Sequence, residues 1–418
     1  MKMEIMDTRP RVIIIGASFA GLKAALQLSE EYAVTVIDKR PWFEFLPNIH
    51  EIISGIKTPA MLRFSNQAIV RQAGHGYLYD TVTEILPEKS RIRTRRGNEL
   101  AYDFCIIAAG SAINTYGVPG ADRYAMPFKQ VSHCRAISRQ LNRLARTRKE
   151  FFINIVGGGL EGVETLGEIL RGYRRHPGLR VRIIERQEKL LYDAPADVAS
   201  VIKKHCRPYA VEFLTGESVK EVSADAVTLS SGSQLESDAT LWTAGIKPCP
   251  FLTASNLTEQ SDQWVPANEC LQHPVYNNVF AAGDAAELPQ PLSKQAYHAI
   301  DMGATAGKNV IRQSIGHPLT PFTPSAKPML VAFGDLDTFL IAGKIVMAGA
   351  VLGALKEAVF QMVMTEFDQA VFWKKALHLS TRARISGMKI VWPFLWSPSA
   401  MLRLGKIRPL RQRMPANQ

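Results

Sequence analysis

Residues 11–21 read RVIIIGASFAG, an apolar run that ends in a glycine-containing turn. The run predicts a buried strand, Gly16 predicts a tight turn, and the residues that follow predict a helix through about Glu31. A second predicted strand, Ala33 to Ile37, leads to Asp38, which stands 22 positions after Gly16. In such a β-α-β unit the loop amides and the helix N-terminus bind a pyrophosphate, and the acid binds a ribose hydroxyl.

Ser18 departs from the usual pattern of this loop, in which a middle glycine lets the phosphate approach the backbone. Its small hydroxyl side chain can donate a hydrogen bond to the phosphate instead. By itself this motif leaves a tight strand-to-helix turn without any ligand as the alternative.

A second copy of the pattern argues against that alternative. Phe151 to Val156 is another apolar run, GGGLEG follows at 157–162, and a predicted strand from Val181 to Ile184 leads to Glu185. All three glycines of the dinucleotide-binding fingerprint are present, at Gly157, Gly159 and Gly162. Two such units, about 140 residues apart, predict two bound dinucleotides.

Two acidic residues bear on the second nucleotide. The Glu185 carboxylate can accept hydrogen bonds from a free ribose 2′-hydroxyl and repels a 2′-phosphate, which favours NADH over NADPH. Arg186 follows directly and leaves NADPH open. Glu161 lies inside the glycine loop, where a carboxylate repels the pyrophosphate unless it points outward.

Length and composition indicate a globular protein. The chain has 418 residues, enough for two or three domains, of which 46% are hydrophobic and 21% charged. Its longest apolar run, Ile345 to Leu355, falls short of the roughly 18 residues of a membrane span and stops at Lys356. The first residues lack a signal-peptide pattern, so a cytoplasmic location is expected. The cysteines are too far apart to predict a zinc site or a redox dithiol, and no metal is expected: Cys105, Cys134, Cys206, Cys249 and Cys270.

The positive charge is concentrated near the C-terminus. The net charge is +12, from 50 basic and 38 acidic residues, and no acidic residue follows Asp368. Ten basic residues do follow it: Lys374, Lys375, Arg382, Arg384, Lys389, Arg403, Lys406, Arg408, Arg411 and Arg413. The basicity therefore belongs to this segment.

Further segments resemble the two-dinucleotide-binding-domain flavoproteins of the pyridine nucleotide-disulfide oxidoreductase superfamily. Tyr102 to Gly110, with Gly117 to Gly120, and Leu241 to Pro248 are similar to its two crossover segments, and Val279 to Ala285 resembles its second FAD motif. The resemblance covers roughly residues 10–350 and implies an α/β fold with two Rossmann-like domains. It implies an FAD domain at 10–125 and 245–325, an NAD(P)H domain inserted at 126–244, and an α+β capping and membrane-docking region at 326–418. NADH and FAD would meet at the domain interface, where the nicotinamide passes hydride to the flavin N5.

The absence of a dithiol separates this chain from the disulfide reductases and the sulfide:quinone oxidoreductases of the superfamily. Phe45-Leu46-Pro47 with Glu51, and Gly162-Val163-Glu164, resemble type II NADH:quinone oxidoreductases. Lys294-Gln295-Ala296-Tyr297 is closer to the ferroptosis-suppressor branch, which is related to apoptosis-inducing factor. Gln295 matches the first glutamine of the paired motif of the type II enzymes, whereas Ala299 stands at the second.

The resemblance implies three catalytic candidates. Lys294, at the start of a helix predicted over Lys294 to Gly307, would stabilise negative charge on the reduced flavin, with a surface lysine as the alternative. Glu164 would orient the nicotinamide carboxamide, with an exposed acid paired to Arg171 as the alternative, and Gln295 would face the quinone. The implied FAD and NAD(P)H contacts are Gly16, Ser18, Gly21, Asp38, Lys39, Pro47, Val82, Ala109, Gly110, Gly157, Gly159, Gly162, Glu164, Glu185, Ala244, Gly245, Gly283 and Asp284. His298 is predicted to be a packed helix histidine, with proton donation left open.

The C-terminal region predicts strands at Met329 to Phe333 and Phe339 to Ala342, and then a helix. That helix has an apolar face, whose first half is expected to pack against the FAD domain: Leu352, Leu355, Val359 and Met362. Beyond it, a second face and an aromatic patch lie among the basic residues: Phe372, Ala376, Leu379, Ala383, Trp392, Phe394, Leu395 and Trp396. This composition favours docking on anionic lipid, with a disordered basic tail as the alternative, and no nucleic-acid partner is expected.

These observations predict a peripheral, FAD-dependent NADH:quinone oxidoreductase that works without a redox disulfide. One alternative is an NADH-dependent reductase of a ferredoxin, rubredoxin or oxygenase partner. The other is a slow-turnover FAD protein resembling apoptosis-inducing factor. A homodimer is left open, because no sequence feature specifies an interface.

Overall fold

The computed structural model describes residues 8–258, 260, 262–367 and 407–410. Its strands, numbered along the chain, are β1 Arg11–Ile15, β2 Ala33–Asp38, β3 Trp42–Glu44, β4 Arg63–Ser65, β5 Gly76–Tyr79, β6 Val82–Leu86, β7 Arg91–Thr94, β8 Glu99–Ala101, β9 Phe104–Ile107, β10 Ala112–Ile113, β11 Met126–Pro127, β12 Phe151–Val156, β13 Leu179–Glu185, β14 Val211–Thr215, β15 Val219–Val222, β16 Ala226–Leu229, β17 Gln234–Glu236, β18 Ala239–Trp242, β19 Ile246–Lys247, β20 Val265–Pro266, β21 Val279–Ala281, β22 Ala286–Glu287, β23 Met329–Phe333, β24 Asp337–Ala342, β25 Ile345–Ala348 and β26 Arg408–Pro409. Its α-helices are α1 Phe19–Ala25, α2 Asn66–Gln72, α3 Ala121–Tyr124, α4 Val131–Thr147, α5 Leu160–Tyr173, α6 Ala196–Cys206, α7 Ala296–Ser314 and α8 Leu352–Phe367. Short 3-10 helices cover Leu46–Ile52, Pro59–Leu62, Pro87–Lys89, Pro250–Ser255 and Gly283–Ala285.

The first of two compact units is built on a parallel sheet. Unit 1 comprises Met1–Glu44, Arg63–Ala112 and Ile246–Ala326. Its sheet has the order β21-β9-β1-β2-β5, and all of its pairs are parallel. The four residues of β1 after Arg11 are buried, as expected for a strand with both neighbours paired in a parallel sheet. The first predicted β-α-β unit is confirmed, with Ile13 of β1 opposite Thr35 of β2.

Helices α1 and α7 of unit 1 cross at glycines. A Cβ added at Gly303 would overlap the carbonyl oxygen of Ala20, and one at Gly307 would lie 2.8 Å from that of Ala24. Gly307 therefore allows close helix packing, and α7 continues past it to Ser314. The predicted helix from Lys294 to Gly307 is wrong at both ends, since α7 begins at Ala296.

Helix α1 is shorter than predicted, because it ends at Ala25 instead of about Glu31. The buried ring of His75 lies across this end, with Nε2 3.0 Å from the carbonyl oxygen of Ala25 and 3.1 Å from that of Leu28. These contacts satisfy carbonyl groups that a longer helix would have bonded internally. The local sequence does not contain this distant partner.

The second compact unit carries the other β-α-β element. Unit 2 comprises Phe45–Leu62, Ile113–Gly245 and Lys327–Gln418. Its parallel sheet has the order β11-β18-β12-β13-β14, and the second predicted β-α-β unit is confirmed. An antiparallel sheet, β23-β24-β25-β26, packs against α5 and α8. The predicted strand Met329 to Phe333 is confirmed, and the next one begins earlier than predicted, at Asp337.

Helix α8 does not bury the face that its apolar pattern predicts. In the first half of the helix Leu352 is buried as expected, whereas Leu355 is 44% exposed, so core packing is wrong there. Val359 and Met362 are 43% and 72% exposed. The buried residues are Leu352, Lys356, Glu357, Phe360, Met364 and Phe367. Two charged side chains therefore point inward, while an apolar stripe at positions i, i+4 and i+7 faces outward.

In unit 2, β26 pairs with β25, with Arg408 opposite Ala348 and Pro409 opposite Met347. The Arg408 guanidinium donates to the buried carboxylate of Asp337 at 2.6 Å, so this cation is committed to the protein. The second apolar face and the aromatic patch, at 372–383 and 392–396, lie outside the described residues. Within the described ranges, no helix is long and apolar enough to cross a membrane.

Candidate dinucleotide and redox site

The first glycine loop, in unit 1, joins β1 to α1. Gly16 has φ +106°, and a Cβ there would overlap the carbonyl oxygen of Ala108. A Cβ at Gly21 would overlap the carbonyl oxygen of Gly16. These overlaps require glycine at both positions, because neither contact can yield without moving backbone. Ser18 is the N-cap residue of α1, and its side chain makes no capping hydrogen bond.

The second glycine loop, in unit 2, repeats this geometry between β12 and α5. Gly157 also has φ +106°, and a Cβ at Gly162 would overlap the carbonyl oxygen of Gly157. A Cβ at Gly159 would have no heavy atom within 4 Å, so open space lies beside the loop where a pyrophosphate would approach. Glu161 is exposed on the first turn of α5, so its carboxylate points outward.

The two predicted ribose-binding acids are held in the same way by backbone amides. Asp38 accepts from Ala17 N–H at 2.7 Å and from Arg40 N–H at 2.8 Å. Glu185 accepts from Gly158 N–H at 2.6 Å and from Gln187 N–H at 2.7 Å. Each carboxylate therefore lies at the end of the second strand, in contact with the loop that would bind the pyrophosphate.

The crossover segments supply further turns at the predicted contacts. Gly110, Gly245 and Gly283 have φ of +69°, +71° and +68°, a region that glycine adopts readily. Asp284 accepts a hydrogen bond from Ser111 Oγ at 2.7 Å within unit 1. The carbonyl oxygen of Ala244 accepts from Trp242 Nε1 at 2.9 Å within unit 2.

The remaining predicted cofactor contacts belong to both units of the chain. Lys39 is exposed after β2, Val82 is buried in β6, and Ala109 accepts a hydrogen bond from Cys249 Sγ at 3.5 Å, all within unit 1. Pro47 lies in the 3-10 helix Leu46–Ile52, which belongs to unit 2.

Lys294 lies in a cavity of unit 1 just before α7. The lining includes Trp264, Asp284, Glu287, Lys294, Gln295 and His298. The Lys294 ammonium donates to the carbonyl oxygen of Ala286 at 2.5 Å and stands 4.4 Å from the centre of the Trp264 ring. Burial lowers the pKa of Lys294, although Asp284 and Glu287 oppose the shift. Lys294 is therefore partly buried, and a cation lies beside the second FAD-type motif.

Gln295 and His298 complete the α7 end of this cavity. Gln295 is the N-cap residue of α7 and bonds Ser293 Oγ through Nε2 at 3.0 Å. His298 is buried, with its ring 4.1 Å from that of Tyr297, which agrees with the packed histidine predicted.

Glu164 is buried in unit 2 at the centre of a polar cluster. Its Oε1 accepts from the Lys356 ammonium and from Ala332 N–H at 2.9 Å, and its Oε2 lies 3.3 Å from His50 Nδ1. Burial raises the pKa of Glu164, although Lys356 and Ala332 N–H oppose the shift. The exposed-acid alternative is wrong, because Arg171 pairs with Glu168 at 3.0 Å instead.

A second buried charge group lies in the same unit. The Lys57 ammonium is 3.2 Å from Glu51 Oε2 and 2.9 Å from Glu357 Oε2, and it lies 3.3 Å from the centre of the Phe360 ring. Lys57, Glu357, Lys356 and His50 were not among the predicted site residues. The sequence feature that could have identified them is the Lys356-Glu357 pair inside an apolar helical pattern, since charged residues are rarely buried unless paired.

All five cysteines are free thiols, of which four are buried and Cys270 is partly exposed. Burial raises the pKa of Cys105 and of Cys206, the latter to about 12. High thiol pKa values disfavour the thiolate needed for disulfide exchange.

The comparisons with known proteins show the family and the fold. A family model described as pyridine nucleotide-disulphide oxidoreductase matches residues 10–303. Demethylphylloquinone reductase NdbB of Synechocystis sp. is 26% identical over 81% of this chain and 87% of its own length. Type II NADH:quinone oxidoreductase of Staphylococcus epidermidis is 24% identical, over 79% of this chain and 89% of its own length. NDH2 of Plasmodium falciparum, solved with NADH, has the same fold, with a TM-score of 0.79, 17% identity, and coverage of 90% of this chain and 97% of that one.

Proposed function

The chain belongs to the pyridine nucleotide-disulphide oxidoreductase family, and from that premise we propose that it is a peripheral, FAD-dependent NADH:quinone oxidoreductase. The observation that carries the proposal is the pair of glycine loops, each holding a carboxylate on a loop amide at 2.7 or 2.6 Å. Two such loops fit two dinucleotides. FAD, when bound, would accept hydride from NADH and return the electrons to the acceptor.

The residues of the first loop fit FAD as the resident group. The amides after Gly16 and the N-terminus of α1 would bind its pyrophosphate, and Asp38 its ribose. Asp284 would bind the ribityl and phosphate region, and Lys294 would supply positive charge toward the flavin. Lys294 supports this role because it is partly buried in the cavity that Asp284 also lines.

The residues of the second loop fit NADH. Glu185 accepts two backbone hydrogen bonds, which keep the carboxylate at the end of β13, where it would accept the ribose hydroxyls and repel a 2′-phosphate. Glu164 would contact the nicotinamide end through a carboxylate fixed by Lys356 and Ala332 N–H. Gln295 would face the quinone.

Two observations support a quinone as the acceptor instead of a disulfide. Four of the five thiols are buried and none is in a disulfide, and both curated relatives above are named for a quinone substrate. The test is anaerobic addition of NADH to the purified protein, followed by a panel of quinones, a ferredoxin and a rubredoxin. We expect NADH to bleach the flavin and a quinone to restore its colour. A protein that retains no FAD, or one that a ferredoxin reoxidises and quinones do not, would contradict the proposal.

The exposed stripe on α8 supports docking on an anionic lipid surface. Leu355, Val359 and Met362 share one outward face, and nine basic residues after Asp368, besides Arg408, follow that helix in the chain. Apolar insertion together with cations at the headgroups is the composition that a peripheral anchor requires, at about 1 kcal/mol per basic residue near the surface.

Truncating the chain after Asp368 would remove the Arg408–Asp337 contact, so the docking proposal is better tested by a point substitution. Vesicles of phosphatidylcholine with phosphatidylglycerol should sediment the wild type, and V359E should bind at least about tenfold more weakly. I345E is the matched control, because Ile345 is 65% exposed on β25 of the same unit. Equal binding of V359E and the wild type would place the docking surface elsewhere.

A further inference from the structure

Helix α4 of unit 2 has a positively charged outward face and no negative charge. Its sequence, VSHCRAISRQLNRLART, contains no acidic residue. Its buried side is formed by Val131, Cys134, Ile137, Leu141 and Leu144. On the opposite side lie four exposed arginines, which we call the arginine stripe: Arg135, Arg139, Arg143 and Arg146. At about 100° and 1.5 Å per residue, they fall within about 80° of arc and span roughly 16 Å.

The arginine stripe is not neutralised by the part of the chain that the structure describes. No described residue forms a hydrogen bond or an ion pair with its guanidinium groups. The acids near the end of α4 have other partners, since Asp238 lies 3.9 Å from Arg148 and Glu150 pairs with Arg180 at 2.8 Å. Like charges three or four residues apart destabilise a helix. The stripe is therefore unfavourable by itself, and an anionic partner would relieve the repulsion.

The chemistry of this face indicates the kind of partner that it fits. The other exposed residues of α4 are Ser132, Asn142 and Thr147, so the face has no exposed aromatic or large apolar side chain. Arginine can form two parallel hydrogen bonds with a phosphate group, because its planar guanidinium matches two phosphate oxygens. Proteins that bind single-stranded nucleic acid add aromatic side chains for stacking, which this face lacks. The stripe therefore fits a surface of phosphate groups.

A second feature of unit 2 favours the phosphates of lipids over those of a nucleic acid. Helix α8 of the same unit exposes its apolar stripe, which a bilayer accommodates and a nucleic acid does not. Both helices pack on the short segment that begins at Phe45. The Phe360 ring of α8 lies 4.8 Å from the Phe45 ring, and Ser138 Oγ of α4 donates to the carbonyl oxygen of Ile53 at 3.3 Å. The charged and the apolar outward faces thus belong to helices held by one segment.

We infer that the arginine stripe of α4 binds the phosphate groups of anionic lipids and is a second docking contact of unit 2, separate from the apolar stripe of α8. The inference rests on the proposed function, which brings this unit to a lipid surface. The α8 contact would be apolar and little affected by salt, whereas the α4 contact would be electrostatic and would weaken as salt rises. Two contacts on one unit would bind more tightly together than either does alone.

The test compares R139E with K204E in the FAD-loaded, full-length protein. Both substitutions change the net charge by the same amount, and Lys204 is exposed on α6 of the same unit. Sedimentation measures binding to vesicles of phosphatidylcholine with phosphatidylglycerol at about 0.1 M salt. We expect binding to weaken at least about tenfold in R139E and less than about threefold in K204E and in R139K. Equal binding by R139E and K204E would leave only an effect of net charge and would overturn the inference.

R139E also provides a control for folding. The carboxylate that it introduces lies four residues from Arg135 and four from Arg143, so it should pair with them. We therefore expect the thermal midpoint of R139E to be equal to that of the wild type or higher. A lower midpoint would show that the stripe serves the fold instead of a partner, and the inference would then be wrong.

Two further ligands identify the group that the stripe binds. On vesicles of phosphatidylcholine alone, R139E and the wild type should bind equally, because no anionic headgroup is present. On anionic vesicles, the affinity of R139E should fall less steeply with salt than that of the wild type. If R139E lost affinity for a DNA duplex and none for anionic vesicles, the stripe would belong to a nucleic-acid site, which contradicts the inference.

These measurements use neither NADH nor a quinone, so they separate the inference from the function on which it rests. If wild-type protein reduces no quinone with NADH, the proposed function is wrong, whereas the difference between R139E and K204E still decides the inference. If V359E weakens vesicle binding and R139E does not, only the inference fails. If R139E weakens it and V359E does not, the α8 contact is wrong and the α4 contact stands.

Discussion

The two glycine loops of this protein share their backbone geometry and differ at the position that a ligand would approach. Both first glycines have φ +106°, and both third glycines lie against the carbonyl oxygen of the first. At the middle position, however, the first loop has Ser18 and the second has Gly159, beside open space. The helix after the first loop has 7 residues and the one after the second has 14. Closure of the turn thus requires the two outer glycines, whereas the middle residue would determine how closely a ligand can approach the loop.

The largest expected effect comes from breaking the shared part of the two loops. G21A and G162A each place a Cβ on a backbone carbonyl oxygen. This overlap should destabilise the loop conformation that binds a dinucleotide by about 3 kcal/mol or more. We expect G21A to be purified without flavin. G162A should keep its flavin, but NADH should reduce it at least about 100-fold less efficiently. Flavin content and anaerobic stopped-flow reduction measure the two outcomes.

If both variants lost flavin equally, the loops would not serve separate dinucleotides. Gly159→Ala supplies a control for the second loop, because its Cβ meets no protein atom and should leave the flavin content unchanged.

A smaller effect is expected at the two acids, which are held alike and which the proposed function assigns to different nucleotides. E185Q keeps the shape of the side chain and removes its charge, so NADH should bind about tenfold more weakly, and the preference for NADH over NADPH should fall by a similar factor. D38N should leave that preference unchanged and weaken FAD binding instead. Steady-state kinetics with NADH and with NADPH measure the nucleotide preference, and ultrafiltration measures FAD dissociation. Together they distinguish the two sites. An unchanged preference in E185Q would show that another residue selects the nucleotide.

Much of this comparison could be predicted from local sequence. The strands at Phe151–Val156 and Met329–Phe333, and the positions of Asp38 and Glu185, follow from apolar runs that end in turns. Such runs report burial on both faces of a strand, and the glycine pattern adds the turn that closes the unit. Local chemistry therefore determines these parts.

Other parts depend on partners that are distant in the chain. Glu164 and Lys356 are 192 residues apart, and Lys57 and Glu357 are 300 apart. Core packing was predicted for the first half of the apolar stripe of α8, yet Leu355 is exposed. Periodicity cannot show that paired charges occupy the buried face. Gly307 illustrates the same limit, since a glycine that ends a helix and one that allows helix packing look alike in sequence.

A further prediction concerns Lys294, which the proposed function places beside the flavin. K294Q removes the cation beside Asp284 and should slow flavin reduction by NADH by about tenfold, since a positioned donor facing developing negative charge contributes on that scale or more. K294R should retain most of the rate. The flavin midpoint potential should also be lower in K294Q, which spectroelectrochemistry can measure. A rate and potential equal to those of the wild type would assign Lys294 to packing on Trp264 alone.

The smallest effect is expected from exchanging the middle residues, S18G and G159S. A Cβ added at Gly159 has no heavy atom within 4 Å, so the thermal midpoint of G159S should equal that of the wild type. If a pyrophosphate fills the open space, the added hydroxymethyl group should raise the KM for NADH by about threefold to tenfold, which corresponds to roughly 1 kcal/mol. S18G should change FAD affinity by less than about threefold, because glycine at that position admits the phosphate and removes only one donor. An unchanged KM in G159S would mean that the nucleotide does not approach the second loop at its middle residue, and the two sites would then bind their phosphates by different means.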